Sequence, residues 1–253
     1  MKRLSWNDQT ETLDTLFEGR LKILQKKRGY RFSIDALLLA NFSDPGPIDR
    51  IIDLGTGCGI LPLILLFRGK ASRIIGVEIQ PSLADLARRN AALNRFSSRI
   101  KTWEKDLKEL TTRKLKGIFD LVLSNPPYRR VGSGRINLNQ EKALARHEIN
   151  ATMVDLLRVA NHLLKDRGRL VMIYPATRAA DLIKEMAGFH LEPKRMQFVH
   201  SKEKDEAGLV LVEALKEGRA QVRILPPFVL YDSAGGYTPG ARELFRYGRG
   251  GGY

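Results

Sequence analysis

Cysteine is nearly absent. Cys58 is the only one in 253 residues, so no internal disulfide is possible. The four histidines, His147, His162, His190 and His200, are scattered, and with one thiol they offer no zinc-ligand spacing. No metal is expected, and so little cysteine fits the cytosol. Long apolar runs are missing as well. No stretch approaches the roughly 20 residues that cross a bilayer, so no membrane partner is expected. The opening "MKRLSWNDQTETLDTL" has acids and amides where a secretory signal needs an apolar core. The chain therefore reads as cytoplasmic.

Acidic side chains are in short supply. Lys and Arg number 43 against 28 Asp and Glu, a net charge of +15. An excess of this size points to an acidic partner, nucleic acid first and anionic lipid second. The surplus is concentrated. Between Arg129 and Arg146, the five bases Arg129, Arg130, Arg135, Lys142 and Arg146 meet one acid, Glu141. "KKRGYR" at 26–31 and the tail with Arg242, Arg246 and Arg249 are also basic. The hydrophobic share of 43% is that of a globular chain.

From about residue 50, short apolar runs alternate with helical patterns. "RIIDLGTG" is a β-branched run ended by glycines, followed by the apolar helix "ILPLILLFRG". "RIIGVEI" is a second strand. "PSLADLARRNAALN" is an amphipathic helix with Pro81 in its first turn, where proline is tolerated. "IKTWEKD" and "GIFDLVLSN" are the third and fourth strands. After a Gly/Asn/Arg-rich loop at 129–147, "ATMVDLLRVANHLLK" sets Leu156, Ala160, Leu163 and Leu164 on one helical face and leaves His162 off it. "GRLVMIYP", "KRMQFVHS" and "AGLVLVEALK" complete seven strands, with the helix "AADLIKEMAGF" between the first two. Such alternation predicts an α/β fold with a mostly parallel sheet and helices on both faces. One domain is expected, with 1–49 an N-terminal extension, 50–215 the core and 216–253 a C-terminal arm.

"DLGTGCG" places Asp53, Gly55, Gly57 and Gly59 between a strand and a helix, where glycines let a ligand approach the backbone. A dinucleotide fingerprint would need glycine where Ile60 stands, and no G-K-[ST] of a P-loop occurs. Glu78 ends the second strand, 25 residues beyond Asp53, where a carboxylate accepts from both ribose hydroxyls. Asp106 closes the third strand, where it can accept from an exocyclic amine. Three acids at successive strand ends face the crevice in which open α/β sheets bind ligands.

"NPPY" at 125–128 ends the fourth strand. Two prolines fix the turn. The Asn125 oxygen and Pro126 carbonyl are two acceptors for the two N–H groups of a planar amine. Tyr128 offers a ring on which a base stacks, worth about 1–3 kcal/mol.

D-x-G-x-G-x-G, an acid ending strand two and N-P-P-Y ending strand four resemble the class I S-adenosylmethionine (SAM)-dependent methyltransferases. The resemblance implies a Rossmann-like, seven-stranded sheet whose last strand is antiparallel. It implies SAM as cofactor, with Asp53 and the glycine backbones on the methionine part, Glu78 on the ribose and Asp106 on the adenine. Asn125 and Ile79 belong to the same cofactor set. "RGYRFSIDALLLANF" at 28–42 and "LPPFVLYDSAGGYTPGARELF" at 225–245 further resemble the bacterial tRNA1(Val) (adenine(37)-N6)-methyltransferase family. That likeness implies methyl transfer to N6 of an adenine beside the anticodon of a tRNA. It places Phe32, Ser33 and Asp35 near the methionine end, and Arg129, Arg130 and Arg135 against RNA phosphates. The 28–42 stretch also reads as an ordinary amphipathic helix through Ile34, Leu37 and Leu38. N-P-P-Y alone leaves other acceptors open: the glutamine amide of release factors or a guanine N2 of ribosomal RNA. The former enzymes usually carry a helical domain before the glycine loop, for which about 50 residues leave little room. A non-enzymatic nucleic-acid-binding protein on a vestigial SAM fold is the remaining alternative, opposed by the intact Asp53, Glu78, Asp106 and Asn125.

Overall fold

A computed structural model describes residues 6–29, 31–126 and 152–246. The hairpin of β1 (Glu11–Leu16) and β2 (Leu21–Lys26) comes first, turning through Phe17 and Glu18 at φ of 52° and 57°. Then follow α1 (Ile34–Phe42), β3 (Ile51–Leu54), α2 (Ile60–Phe67), β4 (Ile74–Glu78), α3 (Pro81–Leu93), β5 (Ile100–Glu104) and β6 (Phe119–Ser124). Beyond the undescribed 127–151 come α4 (Met153–Leu163), β7 (Leu164–Pro175), α5 (Ala179–Gly188), β8 (Leu191–His200) and β9 (Ala207–Lys216). The short β10 (Arg223–Ile224), β11 (Phe228–Val229) and α6 (Pro239–Glu243) complete the order.

The large sheet runs β10-β8-β9-β7-β6-β3-β4-β5, with β11 also on β8. All seven expected strands are present. β9 is antiparallel to both β7 and β8, and the other pairings are parallel. The chain moves from β3 outward to β4 and β5, then returns to the other side of β3 with β6. The strand order therefore reverses between β3 and β6, which opens a crevice at their carboxyl ends.

Strand residues alternate between two cores, as a period of two demands. Ile51, Leu121, Leu123, Val171 and Ile173 pack with α1, α2 and α3. Ile52, Val122, Leu170 and Met172 pack with α4 and α5. The first core also takes Phe17, Leu21, Ile23 and Leu24 from the hairpin and Leu230, Ala241 and Leu244 from the C-terminal arm. Burial at Leu37, Leu38, Leu39 and Ala40 corrects the amphipathic reading of α1, which is apolar on nearly every side because it lies within this core. Its last carbonyls are met by Lys70, whose Nζ donates to those of Ala40, Asn41 and Ser43. Expected strand five is longer than "GRLVMIYP". It starts directly at Leu164, which pairs with Phe119 before the register shifts. The described part of the arm packs back on the domain: Tyr231 and Tyr237 stack with centroids 5.0 Å apart, and Arg68 donates to the Leu244 carbonyl at 2.7 Å. Arg249 and "GRGGGY" at 248–253 lie outside the described residues.

Candidate active site

The glycine loop spans the turn from β3 to α2. Gly55, Gly57 and Gly59 hold φ of 78°, 58° and 81°, a region that side chains with a Cβ disfavour. At Gly59 the restriction is also one of space, since a Cβ there would lie 3.2 Å from that of Ala87 on α3. At Gly55 a Cβ would meet nothing within 4 Å, so the turn opens onto free space. The loop is tied to the neighbouring strand through Gly55 and Thr56, whose N–H groups both donate to the Val77 carbonyl. Gly76, in mid-β4, has a reason the sequence did not disclose. A Cβ there would fall 2.8 Å from the Thr56 side chain, so glycine makes room for the loop's threonine.

Glu78 closes β4 with a buried carboxylate. Its Oε2 accepts from the Gly57 N–H and its Oε1 from the Gln80 N–H, both at 2.9 Å. Burial pushes its pKa up, and the N–H donors of Gln80, Gly57 and Ile79 oppose that rise. Each oxygen keeps acceptor capacity for another donor. Asp53 is 2% exposed. Burial raises its carboxyl to about 7, the Thr56 hydroxyl offsets part of the rise and the Glu78 charge adds to it. Ile79 turns an apolar side chain outward, 38% exposed, one residue past Glu78.

Asp106 sits two residues beyond the end of β5, not on the strand itself. It caps the 3-10 turn Leu107–Leu110, its Oδ1 accepting from the Lys108 N–H at 3.0 Å. Asp35 lies in the first turn of α1, and burial raises its pKa against the Ser33 hydrogen bond. Phe32 packs partly against the first core, and its N–H donates to Gln25 Oε1 at 2.9 Å. Gln25 in turn donates to Asp14, which pairs with Arg31 at 2.6 Å. The segment before α1 is thus laced to the hairpin.

On the other side of the reversal, Ser124 is fully buried and its hydroxyl donates to the Leu54 carbonyl at 2.9 Å. This bond clamps the end of β6 to β3. The next residues, Asn125 and Pro126, are half-buried and leave the sheet beside Gly55. The tertiary structure thereby brings Asp53, the glycine loop, Glu78 and Asn125 to one crevice, with Asp106 at the next strand end. Tyr128, Arg129, Arg130 and Arg135 lie outside the described residues. His162 is no part of the crevice; its Nε2 is 2.9 Å from the Thr112 carbonyl. Among the described residues, no group of three or more His, Cys, Asp or Glu side chains is placed to hold a metal, and no helix is long and apolar enough to cross a membrane.

Sequence reasoning missed Asn90, on α3. It is fully buried, and its Nδ2 donates to the Cys58 carbonyl within the glycine loop at 2.9 Å. The only sequence signal was an amide on an otherwise apolar helical stripe with Leu83, Leu86 and Ala87.

An open α/β sheet with a glycine loop and acids at its strand ends defines a class, and comparison agrees. Residues 34–195 match the family described as "Methyltransferase small domain", so the chain is a member of that family. More narrowly, it belongs to the tRNA1(Val) (adenine(37)-N6)-methyltransferase family. A relative of that name from Porphyromonas gingivalis is 32% identical over 87% of this chain and 89% of its own length. Another from Pasteurella multocida is 30% identical over 81% and 84%. Among solved structures, a predicted O-methyltransferase from Agrobacterium tumefaciens superposes with a TM-score of 0.67 at 25% identity, over 85% of this chain and 99% of that one. A transferase-fold neighbour, Pyrococcus horikoshii TYW2 in complex with MeSAdo, shares the fold alone: TM-score 0.57, 16% identity, 84% of this chain and 74% of that one.

Proposed function

We infer that this chain transfers a methyl group from SAM to the exocyclic N6 of adenine 37 in a tRNA. The observation that supports this is the pairing of Ser124 with Leu54 at the sheet's point of reversal, the residues just before Asn125 and Gly55, in a chain whose relatives of that name match most of its length. The residues present fit the cofactor. Gly55 leaves open space where a Cβ would project, Asp53 stands on the strand that enters the loop, and the Glu78 carboxylate accepts from the loop's Gly57 N–H. Asp53 and the loop would hold the methionine part, Glu78 the ribose hydroxyls, and Ile79 and Asp106 the adenine, with Phe32 and Asp35 closing the methionine end. When bound, SAM supplies an electrophilic methyl on a cationic sulfur.

An adenine amine is a weak nucleophile because its lone pair is delocalised into the ring. The Asn125 Oδ1 and the Pro126 carbonyl accept its two N–H groups and turn the lone pair out of the plane. Tyr128 stacks on the base. No strong base is required, since the nitrogen becomes acidic as it gains the methyl and the proton leaves to water. Positioning and electrostatics supply the rate. An anticodon-loop base is splayed out at low cost, and Arg129, Arg130 and Arg135 meet the flanking phosphates. The direct test is nucleoside mass spectrometry of tRNA from a deletion strain, with restoration by labelled SAM and purified protein. Unchanged N6-methyladenosine in that strain would refute the assignment.

The elevated Asp53 pKa gives a second check. Its folded value of about 7 lies above the roughly 3.9 of an unfolded aspartate. The folded chain therefore binds the extra proton between those values. The stabilisation from protonated Asp53 is full below about 4 and is lost as pH rises through about 7. A cationic ligand favours the ionised carboxylate, so SAM binding at about pH 6, where the ligand's own ammonium is fully protonated, releases about one proton. Calorimetry in two buffers of different ionisation heat measures this, and Asp53→Asn should abolish the difference. Equal heats in the two buffers for wild type at pH 6 would show that Asp53 does not ionise on binding.

Salt titration addresses the partner. Log affinity for tRNA should fall linearly with log salt, by about 0.7–0.9 per phosphate neutralised. Arg129→Ala and Arg130→Ala should each reduce the slope and leave SAM binding intact. An affinity indifferent to salt would assign the +15 charge another task.

A further inference from the structure

The β1–β2 hairpin forms its own two-stranded sheet, and β1 occupies one edge of β2. The other edge is closed by side chains. Asn94 Oδ1 accepts from the Lys22 N–H at 2.9 Å, and its Nδ2 donates to the Lys22 carbonyl at 2.6 Å. One turn earlier on α3, Asn90 Oδ1 accepts from the Leu24 N–H at 2.7 Å, and its Nδ2 donates to the Leu24 carbonyl at 3.0 Å. Residues four apart on a helix lie roughly 5–6 Å apart, close to the roughly 6.5–7 Å between alternate residues of a strand. Two carboxamides thus replace the neighbouring strand that β2 lacks.

The two asparagines differ in one bond. Asn94 spends its second Nδ2 hydrogen on the Asn90 carbonyl of its own helix, at 2.8 Å. Asn90 spends its own on the Cys58 carbonyl of the glycine loop. Just before that carbonyl, the Gly57 N–H is held by Glu78. The peptide linking Gly57 to Cys58 is therefore anchored on both sides, by Glu78 and by Asn90. Gly59, which follows, starts α2 with a positive φ. Buried and with both amide hydrogens engaged, Asn90 has no freedom to release one partner without leaving a polar group unpaired.

We propose that Asn90 is a positioning residue for the cofactor loop, and that through it the seating of the hairpin and the binding of SAM are energetically coupled. The proposal rests on the assignment of this loop to SAM. Its thermodynamic content is reciprocal: a ligand that requires the ordered loop also favours the docked hairpin. The hairpin's last residue, Lys26, is also held to α3, its Nζ donating to the Ser82 hydroxyl.

Asn94→Ala is the control, because it removes the equivalent pair of hairpin bonds, to Lys22 rather than Leu24, and leaves the loop bond. Both variants should lower the melting temperature, Asn90→Ala the more, because its bonds are buried and those of Asn94 to Lys22 are exposed. Only Asn90→Ala should also weaken SAM, by about tenfold in Kd for one lost neutral hydrogen bond on a buried carbonyl. Asn90→Asp, which keeps the acceptor but sets a carboxylate against the Cys58 carbonyl, should weaken it further. Unchanged SAM affinity in Asn90→Ala, or an equal loss in Asn94→Ala, overturns the proposal. If Asn90→Ala does not fold, hydrogen exchange on the wild-type protein decides. Saturating S-adenosylhomocysteine should slow exchange of the Leu24 amide severalfold, and no change there overturns the coupling. Failure of wild type to bind SAM at all would instead refute the cofactor assignment beneath it.

Discussion

Asn125→Ala lowers the single-turnover rate of methyl transfer to tRNA by about 10²–10³ at saturating SAM and enzyme, the scale of a lost oxyanion-hole donor. The expectation follows from where the side chain is held. Ser124, immediately before it, is clamped to the Leu54 carbonyl, so Asn125 leaves the sheet from an immobile point beside the glycine loop. Pro126 and Pro127 restrict the backbone after it. An acceptor so held need not reorganise as charge builds on the attacking nitrogen. Its hydrogen bond strengthens toward the transition state, and the loss should fall on the chemical step more than on tRNA affinity. Asn125→Asp keeps an acceptor and adds a charge near the sulfonium, so it should retain SAM while misplacing the base. Tyr128→Phe should be mild, because the ring stacks and the hydroxyl is incidental, and Tyr128→Ala should be severe. Wild-type single-turnover rates in Asn125→Ala would mean that another group holds the amine.

Glu78→Ala should weaken SAM by about 10²–10⁴, from two charge-assisted bonds to ribose at about 1.5–3 kcal/mol each. The carboxylate has a second task that enlarges the effect. It already accepts from the Gly57 and Gln80 N–H groups, so alanine also leaves the loop's own donor unpaired. Glu78→Gln is therefore no conservative substitute. Whichever oxygen becomes NH2, one backbone N–H then faces another donor. Both variants should lose affinity in calorimetry while retaining the fold. Unchanged affinity in Glu78→Ala would remove the residue from the cofactor site.

The parts of this molecule that were legible in the chain are those governed by local rules. Strand period, helix period and the glycines at 55, 57 and 59 each express a constraint within a few residues. They sufficed for seven strands in order and for the acids at or just past three of their ends, while the antiparallel last strand came with the resemblance. The resemblance carried the step from those features to a methyl donor and an RNA acceptor. The hairpin at 11–26 went unread because β1 stays only partly buried, so its alternation is faint. The short β10 and β11 are two residues each and exist only because β8 offers them an edge.

α1 shows the limit most plainly. Ile34, Leu37 and Leu38 mark one helical face, but Leu39, Ala40 and Phe42 are buried as well, because hairpin, sheet and α2 share one core with it. Asn90 shows the same limit at the site. In sequence it is one amide in "ARRNAALN", set on the apolar stripe but with no sign of what it bonds. Its meaning depends on Leu24 and Cys58, 66 and 32 residues away. Gly76 likewise reads as a weak point in a strand until Thr56 is seen against it. The amino-acid sequence by itself determined the order of elements, the glycine turn and the charges at the strand ends, because backbone sterics and burial periodicity act along the chain. Only the tertiary structure decided which strand ends meet, since the reversal between β3 and β6 is a matter of sheet order. It alone decided which buried amide holds the loop, since a hydrogen bond is chosen by distance in space and not by separation in sequence.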